Sequence, residues 1–318
     1  MKVDLQRSEV RRIDREWKQA ASIWPNAQSS AFVDAAGLRW HIQRAGAGPT
    51  LLLLHGTGAS SHTWHGMLPL LADHFEVLAL DYPGHGFSEP GLRRNLSLTG
   101  MARQICRLLD ALEFSPEVII GHSAGAALAA RMALSQQCHP RCIVGLNGAM
   151  LPFRGVSRHF FSPAARILSS VPAIPELFVA RARSAAFVER LIRSTGSDPD
   201  KVPMDAWRWL MRSRTHVAST LGMMAAWDLD SLHAGLNHLD CQVELLVCEG
   251  DRVVLPEQGF RLARALPKVN LTQLPKLGHL GHEEAPDVFV NVIHQSLHEL
   301  DRAEQASSKL RDQARRSA

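Results

Sequence analysis

The run Val118-Ile119-Ile120-Gly121-His122-Ser123-Ala124-Gly125-Ala126-Ala127-Leu128-Ala129-Ala130 constrains this chain more than any other. Its first three residues suit a strand buried on both faces, and its alanine-rich end suits a helix. Between them, G-x-S-x-G leaves room only for a sharp strand-to-helix turn. In such a turn the serine backbone is strained, a side chain at Gly121 or Gly125 would clash, and Ser123 Oγ stands proud of the sheet at a helix N-terminus. A helix cap that happens to be flanked by small residues is the plainer reading, and the rest of the chain decides between the two.

That rest alternates short apolar strands with amphipathic helices. Residues 31–46 read as a hairpin turning at Ala36-Gly37, and Thr50–Leu54 and Glu76–Leu80 as strands with a helix over Trp64–Phe75 between them. A helix over Leu98–Leu112, a strand at Glu117–Ile120 and a helix over Ala124–Leu134 follow. Further strands are expected at 142–147, 242–248 and 269–274, with helices at 257–266 and 287–299. This rhythm predicts an α/β fold, a mostly parallel sheet covered by helices on both faces. It divides into a core over 29–151 and 237–300 and an inserted helical cap over 152–236, with helical stretches at Ala164–Ser170, Leu177–Thr195, Met204–Arg214 and Ser219–Asp228. Residues 1–28 form an N-terminal arm, either solvated or an amphipathic helix built on Val10, Ile13 and Trp17. Residues 301–318, polar and rich in Ser, Gln and Arg, read as a disordered tail.

A serine hydroxyl attacks only if a base takes its proton and a third group orients that base. With the nucleophile on a strand-to-helix turn, the partners follow in the order acid, then histidine. Asp251 lies just past the strand ending at Cys248, and His279 just past the strand ending at Leu274, where ligands gather in open α/β sheets. His282 is the rival base. Glu249, Asp228, Asp230 and Asp240 are the rival acids. The loop His55-Gly56-Thr57-Gly58 follows the Thr50–Leu54 strand, and the backbone N–H groups of Thr57 and Ala124 would form an oxyanion hole. His55, Gly56, His122, Trp207 and Trp227 are expected to line the substrate pocket.

Other classes find less support. A net charge of +4 over 318 residues, with no basic block interleaved with aromatics, gives no sign of a nucleic-acid partner. Five scattered cysteines imply no disulfide framework, and Cys138-His139-Pro140-Arg141-Cys142 lacks a second ligand pair, so no metal or other cofactor is expected. Neither glycine-rich phosphate-binding pattern is present. Without a secretion signal or a long apolar run, the chain reads as cytoplasmic with no transmembrane segment.

In order along the chain stand HGTG, DYPGHGFS (81–88), GHSAG, GDRVVLP and GHLGHEEAP. Through them the chain resembles the α/β-hydrolase superfamily over residues 30–300. The resemblance implies an eight-stranded sheet, a cap over Ser123 and no metal or organic cofactor. Tyr82 stands where leucine is more usual and reads as a surface variation. WPNAQSSAFVDAAGLRWHIQRAGAGPTLLLLHGTGASSHTW, IIGHSAGAALAARMAL and EGDRVVLPEQG are similar to the magnesium-chelatase accessory hydrolases of bacteriochlorophyll biosynthesis. That likeness implies a role near magnesium insertion, a small-molecule substrate such as a tetrapyrrole, and contact with the chelatase. Serine rather than aspartate at the elbow, and a sole tyrosine outside the cap, disfavour epoxide opening and halide displacement. Hydrolysis of an ester-type bond, or of an activated C–C bond, is left, with non-catalytic porphyrin binding as the alternative. The cap's Phe153, Phe160, Phe161, Phe178, Phe187, Trp207, Trp209 and Trp227, and its eleven Arg and Lys, suit either a planar anionic ligand or the cap's own core and a solvated basic face.

Overall fold

A computed structural model describes residues 2–152 and 173–316. Eight strands form one sheet in the order β1-β2-β4-β3-β5-β6-β7-β8. They are β1 (Ser30–Ala35), β2 (Leu38–Ala45), β3 (Thr50–Leu54), β4 (Glu76–Leu80), β5 (Val118–His122), β6 (Cys142–Leu146), β7 (Gln242–Cys248) and β8 (Val269–Leu274). β1 and β2 pair antiparallel, and β2 runs antiparallel to β4. All later pairings are parallel. The hairpin turns where expected: Ala36 and Gly37 both have positive φ (51° and 78°), as a two-residue turn matched to strand twist requires.

Strand periodicity sorts the sheet's side chains into two cores. From β3, Leu52 and Leu54 enter one face while Leu51 and Leu53 enter the other. From β5, Ile119 joins the first, and Val118 and Ile120 the second. Helix α3 (Leu98–Ala111) and helix α4 (Ala124–Leu134) cover the first face. Helix α2 (Met67–Ala72) covers the second. The chain leaves β3 toward β4 on one side and returns to β5 on the other. The C-terminal ends of β3 and β5 therefore flank a topological switch point, the crevice where α/β sheets bind ligands.

Helix α1 (Lys2–Ala20) occupies most of the expected N-terminal arm and lies on the body. Ile13, Ala20 and Trp24 are buried, and Trp17 packs edge-on to Phe32 and Phe87. The spacing Val10, Ile13, Trp17, Ala20, Trp24 presents one apolar stripe, which explains why the segment docks rather than remaining solvated.

Between β6 and β7 come α5 (Ala173–Ala182), α6 (Ala185–Ser194), α7 (Met204–Arg212), α8 (Arg214–Ala226) and α9 (Leu229–Gly235), called the cap helices below. The helix expected over Leu177–Thr195 is two, broken at Arg183-Ser184. The stretch expected at Ala164–Ser170, with Phe153, Phe160 and Phe161, lies outside the described residues. After β7 come α10 (Pro256–Ala263), a single turn α11 (Gly281–Glu284) and α12 (Pro286–Arg316). The supposed disordered tail is thus corrected: α12 runs on to Arg316. Its last turns are built from strong helix formers, and Arg141 reaches across to Asp301 at 2.6 Å and to Glu304 at 3.5 Å. No described helix is long and apolar enough to cross a membrane.

Candidate functional site

Ser123 directly follows β5 and occupies the N-cap position of α4 with φ 51° and ψ −112°, a backbone strain of about 1–3 kcal/mol that only a well-braced turn sustains. The brace is visible. Ser123 N–H donates to the Leu146 carbonyl at 2.9 Å, and the Ser123 carbonyl accepts from Ala149 at 3.0 Å and Ala126 at 3.2 Å. A Cβ on Gly121 would lie 2.4 Å from Ala126 N, and one on Gly125 would lie 2.0 Å from Leu54 O. Both glycines are therefore required, as the turn geometry predicts.

The carboxylate of Asp251 is pinned through Oδ1 by the N–H groups of Val253 (2.7 Å) and Val254 (2.9 Å). That leaves Oδ2 for His279 Nδ1, 2.7 Å away, with both side chains almost wholly buried. This pairing fixes the imidazole with Nδ1 protonated and Nε2 bearing the lone pair. The main chain of His279 is held to the elbow: its carbonyl accepts from His122 Nε2 at 2.9 Å and Asn147 Nδ2 at 3.0 Å. His122 precedes Ser123, and its ring sits 4.7 Å from that of His279. The loop carrying Thr57 passes over the same turn, for a Cβ on Gly56 would lie 2.6 Å from His122 Nδ1 and 3.3 Å from Ser123 Cβ. Three post-strand loops thus meet at the switch point. Three of the rivals are otherwise engaged. His282 Nε2 lies 2.8 Å from Thr63 Oγ1, Asp228 N-caps α9, and Glu249 accepts from Gln273 on the surface.

A family model described as "Alpha/beta hydrolase family" matches residues 51–292. The chain belongs to the alpha/beta hydrolase family. Among relatives, this chain is 35% identical over 272 residues to the "Magnesium-chelatase 30 kDa subunit" of Rhodobacter capsulatus, covering 85% of this chain and 95% of that protein. It is 28% identical over 260 residues to the "Pyrrolizixenacetamide deacetylase" of Xenorhabdus hominickii, covering 79% and 92% of the two chains. A crystal structure of an alpha/beta hydrolase fold protein from Burkholderia ambifaria superposes with a TM-score of 0.68 at 25% identity, covering 83% of this chain and 96% of that one.

The residues expected to line a substrate pocket divide. Gly56 and His122 lie against the elbow, but His122 is a buried bracket whose ring is spent on the His279 carbonyl. His55 is wholly buried. Its Nδ1 donates to the Gly56 carbonyl at 2.8 Å, its Nε2 accepts from Tyr82 N–H at 3.2 Å, and its ring stacks on Tyr82. Trp227 donates to the Leu96 carbonyl at 3.1 Å and belongs to the buried core that α3 and α4 share. Trp207 sits where α7 meets the core, donating to Glu283 Oε2 at 3.0 Å. An indole shows itself as apolar in sequence, whereas its N–H partner is set only by the fold.

Tyr82 also needs correcting. It is fully buried, and its hydroxyl donates to the His55 carbonyl at 2.7 Å, so it is a strut under the Thr57 loop rather than a surface variation. Below it, Asp81 accepts from Ser61 N–H at 2.7 Å and Phe87 N–H at 2.9 Å and pairs with His41 at 2.8 Å. Burial opposes its ionisation, yet the His41 ring and these donors hold its pKa below the ordinary carboxylate range. Asn147 went unnoticed in sequence. Besides the His279 carbonyl, it accepts from Cys248 N–H at 2.8 Å, tying the ends of β6 and β7 to the histidine loop. Its one local signal is the Asn147-Gly148 pair at a strand end, with φ 47° at Asn147.

Six histidines around the site (His55, His62, His85, His122, His216 and His282) are pushed down by burial, His55 and His216 to about 4, and so are neutral at pH 7. Among the described residues, no group of three or more His, Cys, Asp or Glu side chains is arranged to hold a metal ion.

Glu283 is a further buried acid of this region, besides Asp81 and Asp251. Burial raises its pKa to about 8, against the opposing hydrogen bonds from Thr63 and Trp207. It is therefore neutral when folded at pH 7 and ionised when unfolded. Its contribution to stability is full below about pH 4.5 and is lost as pH rises through about 8. Glutamine can keep both partners, accepting from Trp207 and donating to Thr63. The Glu283→Gln variant is expected to gain on the wild type between pH 5 and pH 9, by on the order of 3 kcal/mol. Urea unfolding at the two pH values checks this, and parallel curves for the two proteins would refute it.

Proposed function

We propose that this hydrolase cleaves an ester-type bond by nucleophilic catalysis at Ser123. His279 takes the hydroxyl proton through Nε2 and later returns one to the leaving group. Asp251 orients His279 and stabilises the imidazolium. The N–H groups of Thr57 and Ala124 receive the oxyanion. The observation carrying this reading is the buried 2.7 Å His279–Asp251 bond, anchored through the His279 carbonyl to the residue that precedes Ser123. A strained serine at a helix N-terminus and a dry, pre-oriented His–Asp pair have little use in a protein that only binds. The acyl intermediate would form as Ser123 Oγ attacks the carbonyl carbon and the alcohol departs with the proton carried by His279. Water, deprotonated by His279, then releases the acid and restores Ser123.

The likeness to a protein named as a magnesium-chelatase subunit supports, for the substrate, a tetrapyrrole ester of magnesium-porphyrin synthesis, met in the cytoplasm in contact with the chelatase. The cap aromatics add little to this. Phe178, Phe187, Trp207 and Met211 pack into a cluster that the cap helices share with Ala59 and Leu280, and Trp209 packs on Phe87. Of the basic residues, Arg208 pairs with Glu189 and Asp205, and Arg214 pairs with Glu176. Arg181, Arg183, Arg190, Arg193 and Lys201 are exposed and available to carboxylates.

A fluorophosphonate probe tests the chemistry. Covalent labelling that maps to the Ser123 peptide is expected; an unlabelled, folded protein would overturn it. One observation favours a second reading, a non-catalytic accessory subunit: that relative is named as a subunit of the chelatase. Complementation of a pigment-deficient deletion strain by Ser123→Ala would select the second reading, and failure to complement would select the first. Quenching of tryptophan fluorescence by protoporphyrin is expected under either.

A further inference from the structure

The loops that carry His279 and Asp251 do not hold each other in place alone. Between α6 and α7 the chain crosses them as a strap, Thr195-Gly196-Ser197. The Thr195 carbonyl accepts two hydrogen bonds, from Arg252 N–H at 3.1 Å and from His279 N–H at 3.3 Å. One donor is the residue after Asp251 and the other is His279 itself. Buried Ser197 then accepts from Leu280 N–H through Oγ at 2.8 Å. Glu284 closes the arrangement, accepting from Gly278 N–H at 3.2 Å and from Asp198 N–H at 3.3 Å.

Contact is backbone to backbone. A Cβ on Gly196 would lie 2.0 Å from Gly250 O, and one on Gly278 would lie 2.3 Å from Gly196 C and 2.4 Å from Ser197 N. The φ of 90° at Gly196 is what any helix end asks of a glycine after α6. A helix end does not account for the shared Thr195 carbonyl or the Gly278 contact. From these we propose that Thr195–Ser197 is a positioning element for the acid–base pair: its carbonyl sets the spacing of the Asp251 and His279 loops, and Ser197 fixes the turn immediately after His279. The cap helices thereby align the chemistry as well as cover it. A displacement of the cap that breaks this strap misaligns base and acid together. The inference rests on the hydrolytic reading above.

Ser197→Ala tests it in the full chain, since it removes one acceptor without adding bulk, and Ser197→Thr restores the oxygen. Two readouts are taken. With p-nitrophenyl acetate, Ser197→Ala is expected to lower kcat roughly ten- to hundredfold with KM unchanged within about twofold, and Ser197→Thr to recover most of the loss. By NMR of ¹⁵N-histidine-labelled protein, the titration midpoint of His279 is expected to move by about half a unit or more in Ser197→Ala and to return in Ser197→Thr. An unchanged His279 titration in Ser197→Ala overturns the proposal, as does a fall in kcat that Ser197→Thr does not rescue. Should the wild type lack esterase activity, the hydrolytic reading fails. The His279 titration then still decides whether the strap positions that side chain.

Discussion

Ser123→Ala is expected to lower ester turnover about a millionfold while leaving the melting temperature within roughly 2 °C of the wild type. The two halves of this expectation have separate origins. On the proposed mechanism, loss of Oγ removes the attacking atom, and His279 and Asp251 are left orienting nothing. Structurally, the hydrogen bonds to Leu146, Ala126 and Ala149 use the Ser123 main chain, which alanine keeps. Groups that act as one unit lose additivity, so adding Asp251→Asn to Ser123→Ala is expected to cost little more. Asp251→Asn alone is expected to cost about ten-thousandfold, because the amide no longer fixes the His279 tautomer. Steady-state rates on purified variants, with melting curves, check all three. Turnover by Ser123→Ala within tenfold of the wild type would remove Ser123 from the reaction.

Gly125→Ala is expected to abolish folding, although it adds a single methyl group two residues after Ser123. The added Cβ meets Leu54 O at 2.0 Å, Leu54 C at 2.7 Å and His55 O at 2.9 Å, all main chain of the central strand and its exit loop. Backbone of a central strand has nowhere to go. Helix α4 would have to lift off β3, opening the core that Ala126, Ala127 and Leu128 fill. Such a displacement costs above about 4 kcal/mol, against a total stability of roughly 5–15 kcal/mol. The control is Gly37→Ala in the β1–β2 turn, where nothing lies within 4 Å and only the φ of 78° is at issue. There a loss of about 1 kcal/mol is expected. Soluble yield and urea midpoints distinguish the two, and a folded Gly125→Ala protein would show that α4 and β3 are less tightly pressed than described.

The elbow is legible in sequence because everything that shapes it is local. Strand residues, glycines, serine and helix residues are consecutive, and the steric demand on Gly121 and Gly125 follows from the turn. Asp251 and His279 are legible at one remove, since a residue just past a buried parallel strand has its position set by the sheet. Partners defined by tertiary contact were not legible. Tyr82 looks like a substitution on a surface loop until the fold brings the His55 carbonyl to its hydroxyl. Asn147 carries two donors and an acceptor that identify it only once β6, β7 and the histidine loop are adjacent. Trp207 and Trp227 were indistinguishable as apolar cap residues, yet one faces the core boundary with Glu283 and the other is buried beside α3. The end of α12 misled for a different reason. Polar composition suggests disorder, but a helix already begun extends at little cost through Ala, Glu, Gln, Lys and Arg.

The docking of α1 has a consequence for how the molecule assembles. Trp24, near the start of the chain, packs against Phe87 and Trp209, with Trp209 contributed by the cap helix α7. The indole of Trp24 therefore stays uncovered until a partner far along the sequence is in place. Contacts this distant along the chain slow folding and lengthen exposure to aggregation. The aromatic cluster of Trp24, Phe87 and Trp209 thus forms only once segments far apart in sequence have come together.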